Sequence, residues 1–472
     1  MKERMKSVPE TRRRPRSGRW ALCIAGLVLI GCGDNVVDPG AAMLAVAGDG
    51  AILPAGCVVD VALQLADAEG ASVTFQIAEG GGSIEPAEAT PTQDGLVRAR
   101  WVLGGGENRL TSVSSQDPDQ PLTIAAQGIP TAPGGYATIG NKIFSSTTCK
   151  PHRFVGVARP GLEWNAWDQR LRNPDLAMAE FKGMQSWNAN VVRIPLAQMY
   201  WVPTSIHHVP DYPDLVTRLV TQARSIGLDV IIDLHASDRG DPAYGGEFEG
   251  QQMADVAHSI PFWRDVATRF KNDGGVLFEV YNEPNAIDWN VWLNGGDIAG
   301  GAQYAEDINA AFKKPYRAAG MQQLYDAVRS VGANNLVIVG GTHWGFFLNQ
   351  VPNHLVKGFN IAYATHPYNY ADKLSPTWDD AFGKLAATHP VMITEFGVTD
   401  CSSTYLTEVM DYADKHQLSW LAWSWWSPAP GPGQEAERCR FTALLDTWEG
   451  QPNALGALIR NRLLSYRPSG PT

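Results

Sequence analysis

The sequence is short of positive charge, and it lacks the common motifs for binding metals and phosphates. Its 472 residues include 38 lysines and arginines against 49 aspartates and glutamates, and the net charge of −11 argues against nucleic acid as the main partner. No Cys-x-x-Cys pair or His-Glu-x-x-His motif supports a zinc site, and no glycine-rich cradle for a phosphate is visible. We therefore expect a protein that uses no metal and no cofactor.

The N-terminus lacks an apolar run long enough to cross a membrane. The apolar segment 20–30 follows a basic stretch and is too short to span a bilayer as a helix, which is typical of an export signal. It leads into Cys32 in the sequence LIGC, which resembles a bacterial lipobox. We expect 1–31 to be a lipoprotein signal peptide, Cys32 to be lipidated and 32–40 to be a tether; an ordinary signal peptide or a short anchor is the alternative. The protein is then exported, held at a bacterial membrane by its lipid alone or exposed on the extracellular surface.

The remaining cysteines suggest disulfides. Besides Cys32, the exported chain keeps Cys57, Cys149, Cys401 and Cys439. Because export leads to an oxidising compartment, these can pair. We expect a Cys401–Cys439 disulfide, since both cysteines fall in loops of the same region, and with less support Cys57–Cys149.

Residues 41–128 have the pattern of an all-β domain. Short runs such as 59–65 and 72–77 alternate apolar and polar residues and are separated by glycine-rich turns, which indicates a β-sandwich. The order of these pieces is similar to bacterial immunoglobulin-like domains. Trp101 is the single tryptophan of this domain, whereas a sugar-binding face usually needs several exposed aromatic residues. We therefore expect this domain to be a spacer, and a carbohydrate-binding module is the alternative. Residues 129–136, rich in proline and glycine, are the predicted linker.

Residues 137–472 have a different pattern, in which apolar runs alternate with amphipathic segments. The eight runs are 154–157, 190–194, 230–234, 276–280, 336–339, 361–364, 391–394 and 420–423. Strands that are apolar throughout and alternate with helices favour a parallel sheet, and eight such units predict a (β/α)8 TIM barrel. A doubly wound sheet is the alternative, but no Gly-x-Gly-x-x-Gly follows the first run.

Polar side chains follow most of these strands, at the end where such barrels hold their active sites. They are Arg193, His235, Asn282, Glu283, His366, Tyr368 and Glu395, with Trp423 in the last strand. Two carboxylates on opposite strands are what glycoside hydrolysis needs, one as a proton donor and one as an ionised nucleophile.

The other polar groups suit the same chemistry. Arg193 would favour the ionised form of Glu395, and Tyr368 can donate a hydrogen bond to that carboxylate. Asn282 can reach a sugar hydroxyl beside the reacting carbon. His235 and His366 can bind hydroxyls or tune the acid.

At this point the chain resembles glycoside hydrolase family 5, the cellulase-like barrels. The matching motifs are NEP at 282–284, ITEFG at 393–397, HPY at 366–368, VRIP at 192–195, IDLH at 232–235 and LSWLAW at 418–423. The resemblance implies that Glu283 is the acid/base and Glu395 the nucleophile of a retaining double displacement that needs no cofactor. It leaves Trp423 or Trp425 as the sugar-stacking platform, with Trp423 favoured by its place in the motif.

The substrate is predicted from the aromatic residues. Tryptophans flank many strand ends, among them Trp164 and Trp344, and exposed indoles stack on sugar rings, which suggests an extended polysaccharide. We expect a monomeric endo-β-1,4-glucanase. A β-mannanase, or another β-glycan hydrolase of the family, remains an alternative, as does a surface carbohydrate receptor with an inactive barrel.

Overall fold

The computed structural model describes residues 43–243, 251–299, 314–428, 439 and 441–466. The predicted signal peptide 1–31, the predicted lipidation site Cys32 and the tether 32–40 lie outside these residues. Throughout the described ranges, every helix is too short or too polar to cross a membrane.

The N-terminal region forms two sheets whose apolar faces share one core. Its strands are β1 (Met43–Ala47), β2 (Ala51–Pro54), β3 (Val58–Leu65), β4 (Val73–Glu79), β5 (Gly82–Glu85), β6 (Glu88–Ala89), β7 (Leu96–Leu103), β8 (Gly106–Ser114) and β9 (Leu122–Ile129). One sheet has the order β1-β3-β7-β5 and the other β2-β9-β8-β4-β6. Alternate residues of the strands point inward, so Leu63, Trp101, Leu110 and Ile124 lie in the same buried cluster.

A small three-stranded sheet covers the lower end of the next domain. It consists of β10 (Tyr136–Ile139), β11 (Lys142–Ser145) and β12 (Pro151–His152). Tyr136 and Ile143 pack in one cluster with Val191 and Leu277, two residues from inside the barrel described below. The predicted linker 129–136 is therefore shorter than expected, because its apolar end residues are taken into β9 and β10.

Residues 155–422 hold eight parallel strands that close into a barrel, which confirms the predicted (β/α)8 fold. The barrel strands are β13 (Val155–Ala158), β14 (Val191–Ala197), β15 (Asp229–Ala236), β16 (Val276–Glu279), β19 (Val337–Gly340), β20 (Ile361–Thr365), β21 (Val391–Ile393) and β22 (Ser419–Ala422). Between β16 and β19 the chain adds a separate antiparallel pair, β17 (Gly296–Ile298) and β18 (Tyr316–Ala318). A last pair, β23 (Leu445–Thr447) and β24 (Gln451–Pro452), follows the barrel.

The helices lie around this barrel. They are α1 (Gln169–Arg172), α2 (Pro174–Ser186), α3 (Gln198–Trp201), α4 (Tyr212–Ser225), α5 (Ser259–Phe270), α6 (Trp289–Asn294), α7 (Met321–Arg329), α8 (Lys384–Ala386), α9 (Ser403–His416) and α10 (Ala454–Ser465). Local sequence fixes their ends. Asn173 caps α2 by accepting the backbone N–H groups of Asp175 and Leu176, with Pro174 at the first helical position.

The barrel interior changes from apolar to polar along the strands. Val191, Ile231 and Leu277 fill its lower half. Since alternate residues of a strand share a face, Arg193, Asp233 and Glu279 occupy the next inward positions and are fully buried. The polar layer lies at the carboxyl ends of the strands, where the site is built.

Two disulfides tie the chain. Cys57 of the N-terminal region is bonded to Cys149 beside the covering sheet, and Cys401 is bonded to Cys439. Both pairs are those expected from the sequence.

Candidate active site

Arg193 is the centre of the site. It projects from β14 into the barrel, and its guanidinium is fully buried. It donates to Glu279 at 2.5 Å, to Glu395 at 2.5 Å and to Asn282 at 2.7 Å, and it lies 2.9 Å from Asp233. A buried arginine with three carboxylates around it remains charged, and it favours the ionised form of each of them.

Glu395 is positioned by two donors from opposite sides. It follows β21 and is 3 % exposed. Arg193 donates to one of its oxygens, and the hydroxyl of Tyr368 donates to the other at 2.9 Å. Two hydrogen-bond donors of this kind fix the orientation of a carboxylate, as a nucleophile requires.

Glu283 forms a pair with His366 that shares one proton. The Nδ1 atom of His366 lies 3.0 Å from Oε1 of Glu283, and its Nε2 atom lies 2.9 Å from the hydroxyl of Thr394. That hydroxyl donates its own proton to Glu279 at 2.6 Å, so it must accept the proton of Nε2. The proton between Nδ1 and Glu283 therefore belongs either to an imidazolium or to a carboxylic acid.

The surrounding charges place that proton on the histidine. Burial lowers the pKa of His366, but the charge of Glu395, the nearby carboxylate of Glu279 at 3.7 Å and the hydrogen bond to Glu283 outweigh it and raise the pKa to about 9. Burial also acts to raise the pKa of Glu283, but the hydrogen bond and charge of His366 prevail, and the pKa is lowered. The pair is thus an ion pair in which the proton is one hydrogen bond away from Glu283.

His235 and Asn282 complete one wall of the site. Nδ1 of His235 lies 2.8 Å from Asp233, so the ring is fixed from below. Its Nε2 atom lies 3.4 Å from the amide nitrogen of Asn282, whose oxygen accepts from Arg193. The structure therefore brings these two sequence-predicted residues together with Glu395, which lies 3.9 Å from His235.

The two glutamates face each other across the mouth of the barrel. One oxygen of Glu283, one of Glu395 and a ring nitrogen of His366 all lie within 4.8 Å of one another. Over the described residues, this trio is also the one group with the spacing of a metal site, but Glu283 and Thr394 already engage both nitrogens of His366. Glu283 is 27 % exposed at its side chain, whereas Glu395 lies deeper. The arrangement can deliver a proton from one side of a bound molecule and an ionised carboxylate from the other.

Aromatic residues lie on the same side of the mouth as His235. Trp423 stacks on His235, with ring centres 5.7 Å apart and an angle of 18° between the planes. Trp164 meets Trp423 edge-on at 6.3 Å and is 38 % exposed. Trp423 therefore lies next to His235, which is 3.9 Å from Glu395, and Trp164 lies next to Trp423.

The expectation that Trp425 shares this face is wrong. Trp425 is completely buried and packs against Trp187, the residue directly after α2, with ring centres 4.8 Å apart. The alternation of side chains holds within a strand, and β22 ends at Ala422. Trp425 therefore belongs to the packing between barrel and helices, and Trp423 is left as the candidate platform.

Trp344 lies beside Pro284, the residue directly after Glu283. It is half-buried in the loop after β19, and its backbone N–H donates to the carbonyl of Pro284 at 3.0 Å. The aromatic residues predicted for the site are therefore divided, with Trp164 and Trp423 near His235 and Trp344 beside the strand end that carries Glu283.

Sequence reasoning missed four buried residues of the site, namely Asp233, Glu279, Thr394 and Lys373. Three of them had a detectable signal. Asp233 precedes His235 by two residues, Glu279 follows the inward-facing Leu277 by two, and Thr394 stands directly before Glu395. Alternation within a strand was enough to place Asp233 and Glu279 on the inner face.

Comparison with known proteins identifies the barrel. The family described as Cellulase (glycosyl hydrolase family 5) matches residues 159–428. Cellulase CelDZ1 from a Thermoanaerobacterium species is 24 % identical over 306 residues, which cover 60 % of this chain and 68 % of that protein. An endoglucanase from Clostridium saccharobutylicum is 24 % identical over 311 residues, which cover 64 % of this chain and 59 % of that endoglucanase.

Solved structures show the same fold. The β-glucanase SdGluc5_26A from Saccharophagus degradans superposes with a TM-score of 0.53 at 20 % identity, over 70 % of this chain and 93 % of that one. The catalytic domain of Thermobifida fusca endoglucanase Cel5A gives a TM-score of 0.50 at 18 % identity, over 70 % of this chain and 97 % of that domain. The chain spans 68 %, 59 % and 48 % of the first three curated relatives, so the similarity concerns their barrels and not their full lengths.

Proposed function

The chain belongs to glycosyl hydrolase family 5, and from this premise we propose that it is an endo-acting hydrolase of β-1,4-linked glucan that works by retaining double displacement. The observation that carries the proposal is the pair of carboxylates, with oxygens within 4.8 Å of each other and with different partners. Retaining enzymes place their two carboxyl groups about 5–5.5 Å apart, whereas inverting enzymes leave about 6.5–9.5 Å for a water molecule.

Glu395 is the nucleophile in this proposal. Arg193 and Tyr368 hold it ionised and aimed into the mouth, so it attacks the anomeric carbon and forms a covalent bond to the sugar. Asn282, fixed by Arg193, is placed to bind the hydroxyl beside that carbon. Trp423 then supports the sugar ring, because an indole face attracts the C–H face of a pyranose.

Glu283 is the acid and then the base. The shared proton passes from His366 through the 3.0 Å hydrogen bond to Glu283 and on to the leaving oxygen. The glycosyl bond to Glu395 removes the negative charge that raised the pKa of His366, so the histidine releases its proton more readily at this stage. Water then gives a proton to Glu283 as it attacks the covalent intermediate, and the pair regains its starting state.

Glucan is proposed as the substrate because the relatives that match the barrel include a cellulase and an endoglucanase, and because Trp164 extends the aromatic surface of Trp423. The proposal is tested by reducing-sugar release from carboxymethylcellulose, mixed-linkage β-glucan, xyloglucan and mannan. We expect glucans to be cleaved to short oligosaccharides and a rapid fall in viscosity. Release of a single disaccharide without a fall in viscosity would contradict endo action, and preferential cleavage of mannan would contradict the substrate.

We further propose that the protein is exported and lipidated at Cys32, with residues 43–129 as an immunoglobulin-like spacer. The LIGC motif, the two disulfides and the closed core around Trp101 support this. Membrane fractionation of wild type and Cys32→Ala tests it. We expect the variant to leave the membrane fraction, and its retention there would contradict the anchor.

A further inference from the structure

Lys373 is a loop residue that the structure buries. It is 4 % exposed, and its ammonium donates to the carbonyl of Trp344 at 3.2 Å and lies 5.4 Å from the ring centre of Phe346. Its own carbonyl accepts from the indole of Trp378 at 2.8 Å and from the hydroxyl of Tyr405 at 3.0 Å. The side chain and the backbone of this lysine are therefore both fixed.

Its hydrogen bond leads to the candidate acid. Trp344, which accepts from Lys373, donates its own N–H to the carbonyl of Pro284, the residue directly after Glu283. Lys373 thus connects the loop after β20 to the loop after β19. The loop after β19 in turn contacts Pro284, in the segment that follows β16.

The loop that Lys373 holds is under backbone strain. His343 and Trp344 have φ angles of 57° and 52°, a region that is costly for residues other than glycine. Asp372 pairs with His343 at 2.6 Å. Asp372 and Lys373 of the loop after β20 therefore both hold the loop after β19, at His343 and Trp344. Contacts of this kind keep a strained turn in one conformation, and they fix the backbone of Trp344 against Pro284, the residue after Glu283.

Lys373 also contributes charge to the site. Burial acts to raise the pKa of Glu283, and His366 is the strongest opposing group, followed by the charges of Lys373 and His235. Burial lowers the pKa of Lys373, while the charges of Glu283, Asp372 and Glu395 act in the opposite direction. Tyr368, which donates to Glu395, and Glu279, which lies 3.7 Å from Nε2 of His366, are further titratable groups that face the pair.

We propose that Lys373 is a positioning residue for this reaction: it holds the Trp344 turn against Pro284, the residue after Glu283, and its buried positive charge acts on the Glu283–His366 pair. The inference rests on the proposed function, since it assigns the pair to proton transfer. A cation in this place stabilises the carboxylate form of Glu283, and it makes the pair release its shared proton at a lower pH than it otherwise would.

The test is a titration of His366 by NMR in the full chain, which requires no substrate. The variants are Lys373→Met, Lys373→Gln, which retains a hydrogen-bond donor, and Lys373→Arg, which retains the charge. Lys384→Met is the matched control, because this lysine is exposed at the surface. The signal of His366 is identified by its loss in His366→Ala, among the 10 histidines of the chain.

We expect the titration of His366 to move up by roughly one pH unit in Lys373→Met and Lys373→Gln, and to stay in place in Lys373→Arg and in the control. The basic limb of kcat/KM on soluble β-glucan should move in the same direction by the same amount. A loss of thermal stability with an unchanged His366 titration would overturn the proposal and leave Lys373 a structural residue. Absence of hydrolysis by the wild type would instead contradict the proposed function, and the titration would still decide the part played by the charge.

Discussion

The most informative single substitution is Arg193→Met. It removes one buried cation and leaves three buried carboxylates, of Asp233, Glu279 and Glu395, without the partner that lies 2.5–2.9 Å from each. Breaking a buried ion pair by removing one partner costs about 3–5 kcal/mol of unfolding free energy, because the remaining charge stays desolvated. Protonation of the carboxylates limits the loss, so we expect a value within that range and not a multiple of it.

The same substitution has a pH dependence whose sign can be worked out. In the wild type, burial acts to raise the pKa of Glu279, and Arg193 with His366 and Thr394 lowers it to about 2. This pKa lies below the unfolded value, so its contribution to stability is present above about pH 4.3 and is lost as the pH falls towards 2. Without Arg193, burial prevails and the folded pKa rises above the unfolded value, so folding is favoured at low pH and weakened as the pH rises. The difference between wild type and variant should therefore grow from pH 4 to pH 7.

Urea unfolding at several pH values measures this difference. Arg269→Met is the matched control, since Arg269 forms a partly exposed pair with Asp265 and its loss should cost less than about 1 kcal/mol. A cost for Arg193→Met below that of the control, or a difference that does not change with pH, would refute the electrostatic account of the site.

Three further predictions concern separate contacts. Tyr368→Phe removes a hydrogen bond to a carboxylate, worth about 1.5–3 kcal/mol, so kcat should fall by up to roughly 10- to 150-fold; an unchanged kcat would contradict the role of that hydroxyl. Trp425→Ala should cost about 3–5 kcal/mol of stability while the folded variant keeps its KM, and a raised KM at full stability would show that this indole contacts substrate after all. Replacing Cys57 and Cys149 by serine opens a loop with a sequence separation of 92 and should lower the unfolding free energy by about 4–5 kcal/mol, measured by denaturant unfolding; equal stability with and without the bond would contradict this.

The fold was predictable because barrel strands are buried on both faces. Runs such as 230–234 are mostly apolar, and each of the eight runs overlaps one barrel strand. The amphipathic segment 403–416 forms helix α9, since Ser402 caps its start and Gln417 ends it in a left-handed conformation. Boundaries set by tertiary contacts were less accurate, as for the linker, where the packing of Tyr136 extends the covering sheet.

The site was predictable where it depends on strand ends, and not where it depends on loops. The side chains of Arg193, His235, Glu283 and Glu395 converge because parallel strands of a barrel end at one rim. Lys373 lies in a loop whose contact with Trp344 arises from the approach of two loops, and no spacing in the sequence reveals such an approach.

The central claim is that Glu395 forms a covalent bond to the sugar while Glu283 handles the proton. A 2-deoxy-2-fluoro cellobioside with a good leaving group slows the release of such an intermediate, so that mass spectrometry can locate it. We predict one sugar adduct per chain, on the peptide that contains Glu395, and no adduct in Glu395→Gln. Turnover of a β-glucan with inversion at the anomeric carbon and no adduct, or an adduct on Glu283, would contradict the account.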